Sequence, residues 1–499
     1  MEKQFFNLNW IFRGLQFVIA TIAVGLLVYF SMSGRFNHND FMYVTTAMLS
    51  GHPYEDFNFV QSPLTYFFWN FVVNLLPDHN VFTGLRFISA LLVSLAILVP
   101  AVFFFADKLN RAVFVLLSLS SEYVLQGAAE IANYSLTFAF LSIGFTSLFF
   151  KTKILIGFGA LCLGAAAAAK ISFILFLAPG LAMVLFLHNG LRNRDLIIFF
   201  TGGALIGLAP LLFFAVENFD NFLLHNLTFH SELTNEMRGL TFTGSLISIL
   251  KGMVLWCMRQ IGLILIFAFL ATIAIQKRTI ILSSQLEKNL VITLLFLAVS
   301  FVVAWSPMIL FSQYLMPASF FLVYLITITF GLMNGADRHY IKWPVLTIAV
   351  VAFLLPLGKN LNNAYKNNAI INHQIISRQL DMALERSSCE PIITTLSGSF
   401  LADTRGIPGP GSYTGIFWVR VFESTSQEIR GQVNLSLKET TFFPETAITD
   451  GNSNFAVTGF YNNRFEKIID STADSFDFEK IPLGEFQGKE MYLRKSPNC

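Results

Sequence analysis

The residues best suited to chemistry gather in a polar stretch over 34–66, GRFNHNDFMYVTTAMLSGHPYEDFNFVQSPLTY, directly after a hydrophobic helix. Asp40, Glu55 and Asp56 stand there among aromatic side chains, with turn breakers at Gly51, Pro53 and Pro63. A carboxylate in a partly desolvated cleft can take a proton from an acceptor hydroxyl, which makes Asp40 a candidate general base. The plainer reading of Asp40 is the N-cap of a helix over 41–50, since Asp is a favoured capping residue. Glu55 and Asp56 read as loop-surface charges, with a place behind the base or at a metal as the alternative. A second polar stretch, 217–249, carries Glu217, Asp220, His225, His230, Glu232 and Glu236. Such groups can bind a divalent metal. Here His225 and His230 miss the i,i+4 spacing that shares one helix face, so a solvated acidic loop is the default and a divalent cofactor stays open.

The elements that must hold these residues are membrane helices. Of 499 residues, 54% are hydrophobic, 13% are charged and 55 are Phe; the mean hydropathy is +0.61. A soluble globular chain carries about 25% charge, so most of this surface faces lipid. A net charge of +2 argues against nucleic acid as a partner, which needs a basic patch. Cys162 and Cys257 fall in apolar runs and read as packing residues; Cys389 and Cys499 lie in the polar tail and can pair in an oxidising compartment.

A membrane span needs roughly 20 apolar residues. Candidates are 11–33, 82–106, 112–128, 134–150, 154–169, 171–188, 196–216, 250–275, 290–311, 314–333 and 343–358. Lys170 marks the turn of one hairpin, Ser312 and Gln313 that of another. With the N-terminus inside, Lys3, Arg13, Lys108, Arg111, Lys151, Lys153, Arg192, Arg194, Lys277, Arg278, Lys288, Arg338 and Lys342 are all cytoplasmic, as the positive-inside rule requires. The expectation is therefore an all-α polytopic domain of about 11 spans over 1–358. It would sit in the plasma membrane with its N-terminus in the cytoplasm. The 34–81 loop, the 217–249 loop and a soluble α/β or α+β domain over 359–499 would be extracytoplasmic. In that domain 361–386 reads as helix, and 391–396, 416–422, 455–461 and 490–493 read as short strands. The segment 406–415 reads as a loop. In the first external loop, short helices and the aromatic run 65–76 are expected at the membrane interface.

Several motifs in order, NDFMY (39–43), AMLSGHPYEDF (47–57) and QSPLTYFFW (61–69), resemble the first external loop of GT-C fold glycosyltransferases. The branch most like it holds the protein O-mannosyltransferases and the bacterial lipid A aminoarabinose transferases. GALCLGAAAAAKISFILFLAPGLAMVLF (159–186) and SQYLMPASFFLVYL (312–325) are similar to later segments of that branch. The resemblance implies that Asp40 is the base, that the donor is a polyprenyl-phosphate sugar, and that transfer takes place outside with inversion. The acceptor, whether lipid, glycan or protein, is left unspecified. A departing lipid phosphate needs cations or hydrogen-bond donors, and Lys170, Arg259 and Tyr314 are the candidates; Tyr314 takes the position of the branch's Tyr. Arg259 stands two turns inside an apolar run, and an intramembrane Arg marks function by default. Tyr54, Glu55 and Asp56 would line the acceptor side or support the base. The pattern is broken where Gln61 and Ser62 precede Pro63 in place of Lys or His, and where Gln313 replaces a basic residue. A transporter or flippase for a lipid-linked saccharide, or a non-catalytic scaffold for envelope assembly, are the rival classes.

Overall fold

The structure is a computed structural model. It describes residues 18, 20–33, 38–57, 59–105, 107–188, 192–231, 242–276, 284–305, 312–331, 335–366, 369–386, 390–395, 398–409, 455–458, 478–482 and 490–494.

Helices dominate. Val81–Phe103 packs on Asn133–Ser147, which packs on Lys153–Ala169, which packs on Asn193–Glu217. The last two meet backbone to backbone: a Cβ on Gly203 would run into the Gly157 carbonyl, and one on Gly164 into the Ala204 carbonyl. Between lipid-immersed helices there is little hydrophobic drive to associate, so small residues that permit such contact supply the packing energy. On the other flank, every residue from Met316 to Phe330 is buried. A helix apolar on all sides belongs inside a bundle. Tyr324 on that helix packs in a cluster with Phe105, Phe114, Phe145 and Phe320, and its hydroxyl lies 3.1 Å from Thr146 Oγ1.

The expected spans map unevenly onto these helices. Val81–Phe103, Asn193–Glu217, Lys288–Trp305 and Gln313–Gly331 are long and apolar enough to cross a membrane, by length and composition alone. The expected span 250–275 is broken: its two halves meet at 74° between Arg259 and Ile261. The expected span 112–128 is divided at Ser121 into Lys108–Ser120 and Glu122–Ala128. Ala20–Ser33, Lys153–Ala169, Ile171–Leu187 and Trp343–Leu354 are apolar but short. The hairpin turn at Lys170 appears as expected, with a 3₁₀ turn Ile171–Phe176 leading into Leu177–Leu187.

The connections sort into two groups. At one end Lys153 pairs with Asp195 at 2.7 Å, His188 meets the Leu148 carbonyl at 2.8 Å, and Gly331 lies against Asn110. At the other end the 38–66 loop, the 129–133 turn, Lys170, the 219–230 segment and the Tyr314 turn are joined by hydrogen bonds and ring contacts.

The change in composition at residue 359 falls inside one helix, Gly335–Lys366, and not at a break between elements. Ala369–Glu385 follows, and the expected helical pattern over 361–386 is thus two helices. A five-stranded mixed sheet of order β2-β1-β3-β5-β4 comes next. β1 (Ile392–Thr394) pairs in parallel with β2 (Ile407–Pro408) and β3 (Phe455–Thr458); β5 (Glu490–Arg494) pairs antiparallel with β3 and with β4 (Phe478–Pro482). Ile407 and Pro408, expected in a loop, therefore form a short edge strand, where a proline's missing N–H is tolerated. The expected strand over 416–422 lies outside the described residues, as do Cys389 and Cys499.

Candidate active site

Asp40 does not cap a helix. It sits inside the first turn of His38–Ala47, and its side chain, fully buried, reaches across the bundle. Arg86 Nη2 donates to Asp40 Oδ2 at 2.6 Å, and the Ile131 N–H donates to Oδ1 at 2.8 Å. Arg86 also donates through Nη1 to the Ser31 carbonyl at 2.7 Å, and Ser31 Oγ returns a bond to the Arg86 carbonyl at 2.6 Å. One ion pair thus ties together the helix Ala20–Ser33, the helix His38–Ala47, Val81–Phe103 and the 129–133 turn. Removing one partner from such a pair leaves a buried uncompensated charge, worth about 3–5 kcal/mol.

Lys170 is the second charged centre. It caps Lys153–Ala169 in an extended conformation, φ −153° and ψ 108°. The first loop fixes the peptides on both sides of it: Thr65 Oγ1 donates to the Ala169 carbonyl at 2.7 Å, and the Ile171 N–H donates to Ser62 Oγ at 2.9 Å. Its ammonium lies 4.1 Å from the ring centroid of Tyr314 and 4.7 Å from that of Tyr134, and 3.4 Å from the Tyr134 hydroxyl. Burial pulls Lys170 from 10.5 down to about 7. His230, whose Nε2 meets the Val60 carbonyl at 2.9 Å, is held down to about 4, by burial first and then by Lys170. The expected Lys170 and Tyr314 therefore do come together.

Further polar side chains complete the surroundings. Tyr43 is fully buried and its hydroxyl is pushed well above the ordinary range, by burial first and then by Tyr314 and Glu130; a bond from the Asn133 backbone opposes this. Glu130 is 5% exposed and accepts from Gln126 Nε2 at 2.8 Å. Asn133 donates through Nδ2 to Gln61 Oε1 at 2.8 Å, while its Oδ1 is buried without a hydrogen-bond partner. A buried orphan acceptor costs about 1–3 kcal/mol. It is the kind of group that a hydroxyl-bearing ligand would satisfy.

The other expected residues divide. Arg259 sits at the elbow of the broken helix, not two turns inside a straight span. Its partners are Glu122 at 4.0 Å and the Tyr123 ring at 5.9 Å. Tyr54 is buried and structural in its contacts: its hydroxyl donates to the Gln61 carbonyl at 2.6 Å, its own carbonyl accepts from Asn221 Nδ2 at 3.3 Å, and its ring meets Phe214, Phe222 and His225. Its φ of 77° is strained for a bulky residue, and persists because these contacts over-determine it. Asp56 Oδ2 accepts from the His52 N–H at 2.7 Å and closes the turn at Gly51; a Cβ on Gly51 would collide with that carboxylate. Glu55 is partly exposed beside it. In the second loop Glu217 and Asp220 are exposed while His225 is buried, and burial holds His225 down to about 4. Among the described residues no three His, Cys, Asp or Glu side chains are placed to hold a metal; Glu232 and Glu236 lie outside them. Asn226, in a glycosylation-like Asn-Leu-Thr, is buried and donates to the Phe222 carbonyl at 3.1 Å.

Arg86, Glu130, Asn133 and Tyr134 were not singled out by sequence. Arg86 carries the same signal as Arg259, a cation inside an apolar run. Glu130 lies in the short turn between two expected spans.

An apolar helical bundle whose turns gather buried acidic, basic and phenolic groups at one end, followed by a mixed α/β region, is an integral membrane protein of the GT-C fold. The particular likeness is to ArnT from Cupriavidus metallidurans. The chain aligns with that protein bound to undecaprenyl phosphate at a TM-score of 0.64 and 13% identity, over 97% of this chain and 98% of that one. Against its apo state the TM-score is 0.60 and the identity 11%, over 96% and 98%. No family profile and no curated protein matches the sequence. The resemblance read from the first-loop motifs thus holds at the level of fold.

Proposed function

We propose that this protein is a membrane glycosyltransferase that moves a sugar from a polyprenyl-phosphate carrier to an acceptor on the extracytoplasmic face. The observation that carries the reading is the Lys170 ammonium between Tyr134 and Tyr314, at the same end of the bundle as the Asp40–Arg86 pair, in a fold whose solved neighbour holds undecaprenyl phosphate. The donor phosphate would displace the ring contacts and take Lys170, with the Tyr134 and Tyr314 hydroxyls as further donors. Arg259, at its elbow, contributes only at longer range.

In this scheme an acceptor hydroxyl gives its proton to Asp40 and attacks the anomeric carbon. The bond from that carbon to the phosphate oxygen breaks on the opposite face, so configuration inverts. The negative charge left on the phosphate falls to Lys170 and the phenols, where fixed donors in a dry site are most effective. Asp40 is wholly enclosed, so the first external loop must shift for an acceptor to come within hydrogen-bond reach. Glu130, beside Tyr43, is the second carboxylate at this end and the comparison for the test. Purified protein in lipid nanodiscs, given radiolabelled polyprenyl-phosphate sugars together with a cell-envelope extract of lipids, glycans and proteins as the source of acceptor hydroxyls, should release polyprenyl phosphate; no release from any donor would sink the reading. Asp40→Asn should abolish release; it also leaves Arg86 charged and buried at a cost of about 3–5 kcal/mol, so release is compared at a temperature where thermal unfolding shows the variant still folded. Loss in Glu130→Gln with full activity in Asp40→Asn would move the base to Glu130.

A further inference from the structure

The 3₁₀ turn Gly398–Asp403 of the C-terminal region is seated on both helices that supply the Asp40–Arg86 pair. Gly398 lies against Thr45, five residues after Asp40 on His38–Ala47. Asp403 Oδ1 accepts from the Val81 N–H at 2.7 Å, at the first turn of the helix that bears Arg86. Asp403 Oδ2 lies 2.7 Å from His373 Nε2. Ser377 Oγ is 3.2 Å from the same nitrogen and donates to the Phe400 carbonyl at 2.9 Å. The His373 ring is stacked between Phe82, at 4.2 Å and 15°, and Phe400, at 5.7 Å and 17°. The His373 side chain is 0% exposed and that of Asp403 9%.

This is more than a helix cap. A carboxylate at a helix N-terminus complements the helix dipole, but here it comes from more than 300 residues away (the sequence separation is 322). It is itself oriented by a histidine clamped between rings from the two parts it joins, one ring on each. The geometry points to Asp403 and His373 as positioning residues: they lock the C-terminal region onto both helices and thereby set the register of Asp40 against Arg86. The inference deepens the transferase reading and rests on it for the kinetic arm of its test only.

The test uses the full chain in nanodiscs. Hydrogen exchange over 38–47 and 81–90 is measured in wild type, Asp403→Ala, Asp403→Asn and His373→Phe. The last keeps a ring in the stack and removes the hydrogen bond, and it is the deciding variant if Asp403→Ala does not fold. Exchange should rise in both segments, most in Asp403→Ala and less in Asp403→Asn, which keeps an acceptor for Val81. Steady-state transfer should show kcat lowered about tenfold or more with donor KM nearly unchanged, since small misplacement of a reacting group is costly in rate but not in binding. A general loss of stability would lower apparent kcat through the folded fraction alone, so rates are taken per folded molecule, and it would raise exchange along the whole chain rather than in 38–47 and 81–90. Unchanged exchange in the folded variants overturns the inference, as does raised exchange with native kcat. Raised exchange in a protein whose wild type releases no polyprenyl phosphate leaves the lock standing and removes the transferase reading.

Discussion

Replacing Lys170 by Met separates two roles that usually move together. The Lys170 side chain is nearly buried, 7% exposed, and its drop from 10.5 to about 7 comes from burial. At about 1.4 kcal/mol per tenfold change in proton affinity, that drop amounts to roughly 5 kcal/mol of folding free energy lost at pH 6. The sign follows from proton uptake. Between about pH 7 and 10.5 the unfolded chain holds a proton on this side chain that the folded chain does not. Stability therefore rises with pH through that window, and the full penalty stands below it. Met fills a similar volume between Tyr134 and Tyr314 without the charge; it forfeits a desolvated cation–π contact of about 2 kcal/mol, leaving a net gain of about 3 kcal/mol. Binding goes the other way. A charge-assisted hydrogen bond to phosphate contributes about 1.5–3 kcal/mol, so affinity for polyprenyl phosphate should fall roughly 10- to 100-fold. Wild-type affinity should weaken as pH climbs above about 7, because the ligand must then bring a proton with it; Lys170→Met should be flat over the same range. Thermal unfolding in nanodiscs at pH 6 and 9, with tritiated polyprenyl phosphate binding at each, reads both. A lower melting temperature for Lys170→Met at pH 6, or undiminished binding, refutes the reasoning.

Arg86→Met should destabilise by about 3–5 kcal/mol, because Asp40 is left charged and buried. The double variant with Asp40→Asn should recover part of that loss, and a melting temperature equal to wild type in Arg86→Met would contradict the pairing. Gly203→Val should lower the melting temperature by driving the helices at Gly157 apart, with overpacking of this kind costing about 1–3 kcal/mol or more; Gly202→Val, at a neighbouring position with open space around it, is the control and should be near neutral. Tyr54→Phe should cost about 1 kcal/mol for the bond to the Gln61 carbonyl. An unaltered urea or thermal midpoint there would show that the hydroxyl does not hold the first loop.

What the sequence makes legible follows from what each signal depends on. Apolar runs and the cations between them reveal the bundle and its two ends, because burying a run in lipid is a local property of composition. Breaks inside runs are harder: only the polar pair Arg259-Gln260 and Gly262, two residues on, announce the 74° elbow at Gln260, and a glycine in an apolar helix does not by itself fix a bend. Motif order points to Tyr314 and Lys170 as candidates, and the hairpin turn points to Lys170 as well; the structure places the two side by side. Asp40 was found, but its setting was not, because its partners Arg86 and Ile131 lie 46 and 91 residues away. Glu130 and Asn133 carry no spacing signature of their own. The β4 strand is not legible in the sequence because Phe478–Pro482 contains two charged residues and a proline, a composition that suits an edge, which is where it lies.

The wide separations also say why so polar a site survives at the end of so apolar a bundle. Asp40, Lys170, Glu130 and His230 are each nearly or largely enclosed, and an isolated charge there would be prohibitively expensive. Asp40, Lys170 and His230 are each bonded to, or stacked on, a group from a different turn, and further bonds run between the turns: Asp40 to the 129–133 turn, Lys170 to Tyr134 and Tyr314, His230 to Val60, Gln61 to Asn133 and Ser62 to the Lys170 turn. Polar atoms of each turn are thus satisfied in part by another turn. The site therefore forms only where these turns meet. The stretch Ser62 to Thr65 touches the peptides on either side of Lys170, and in the proposed scheme it would join an acceptor side at the Asp40–Arg86 pair to a donor side at Lys170.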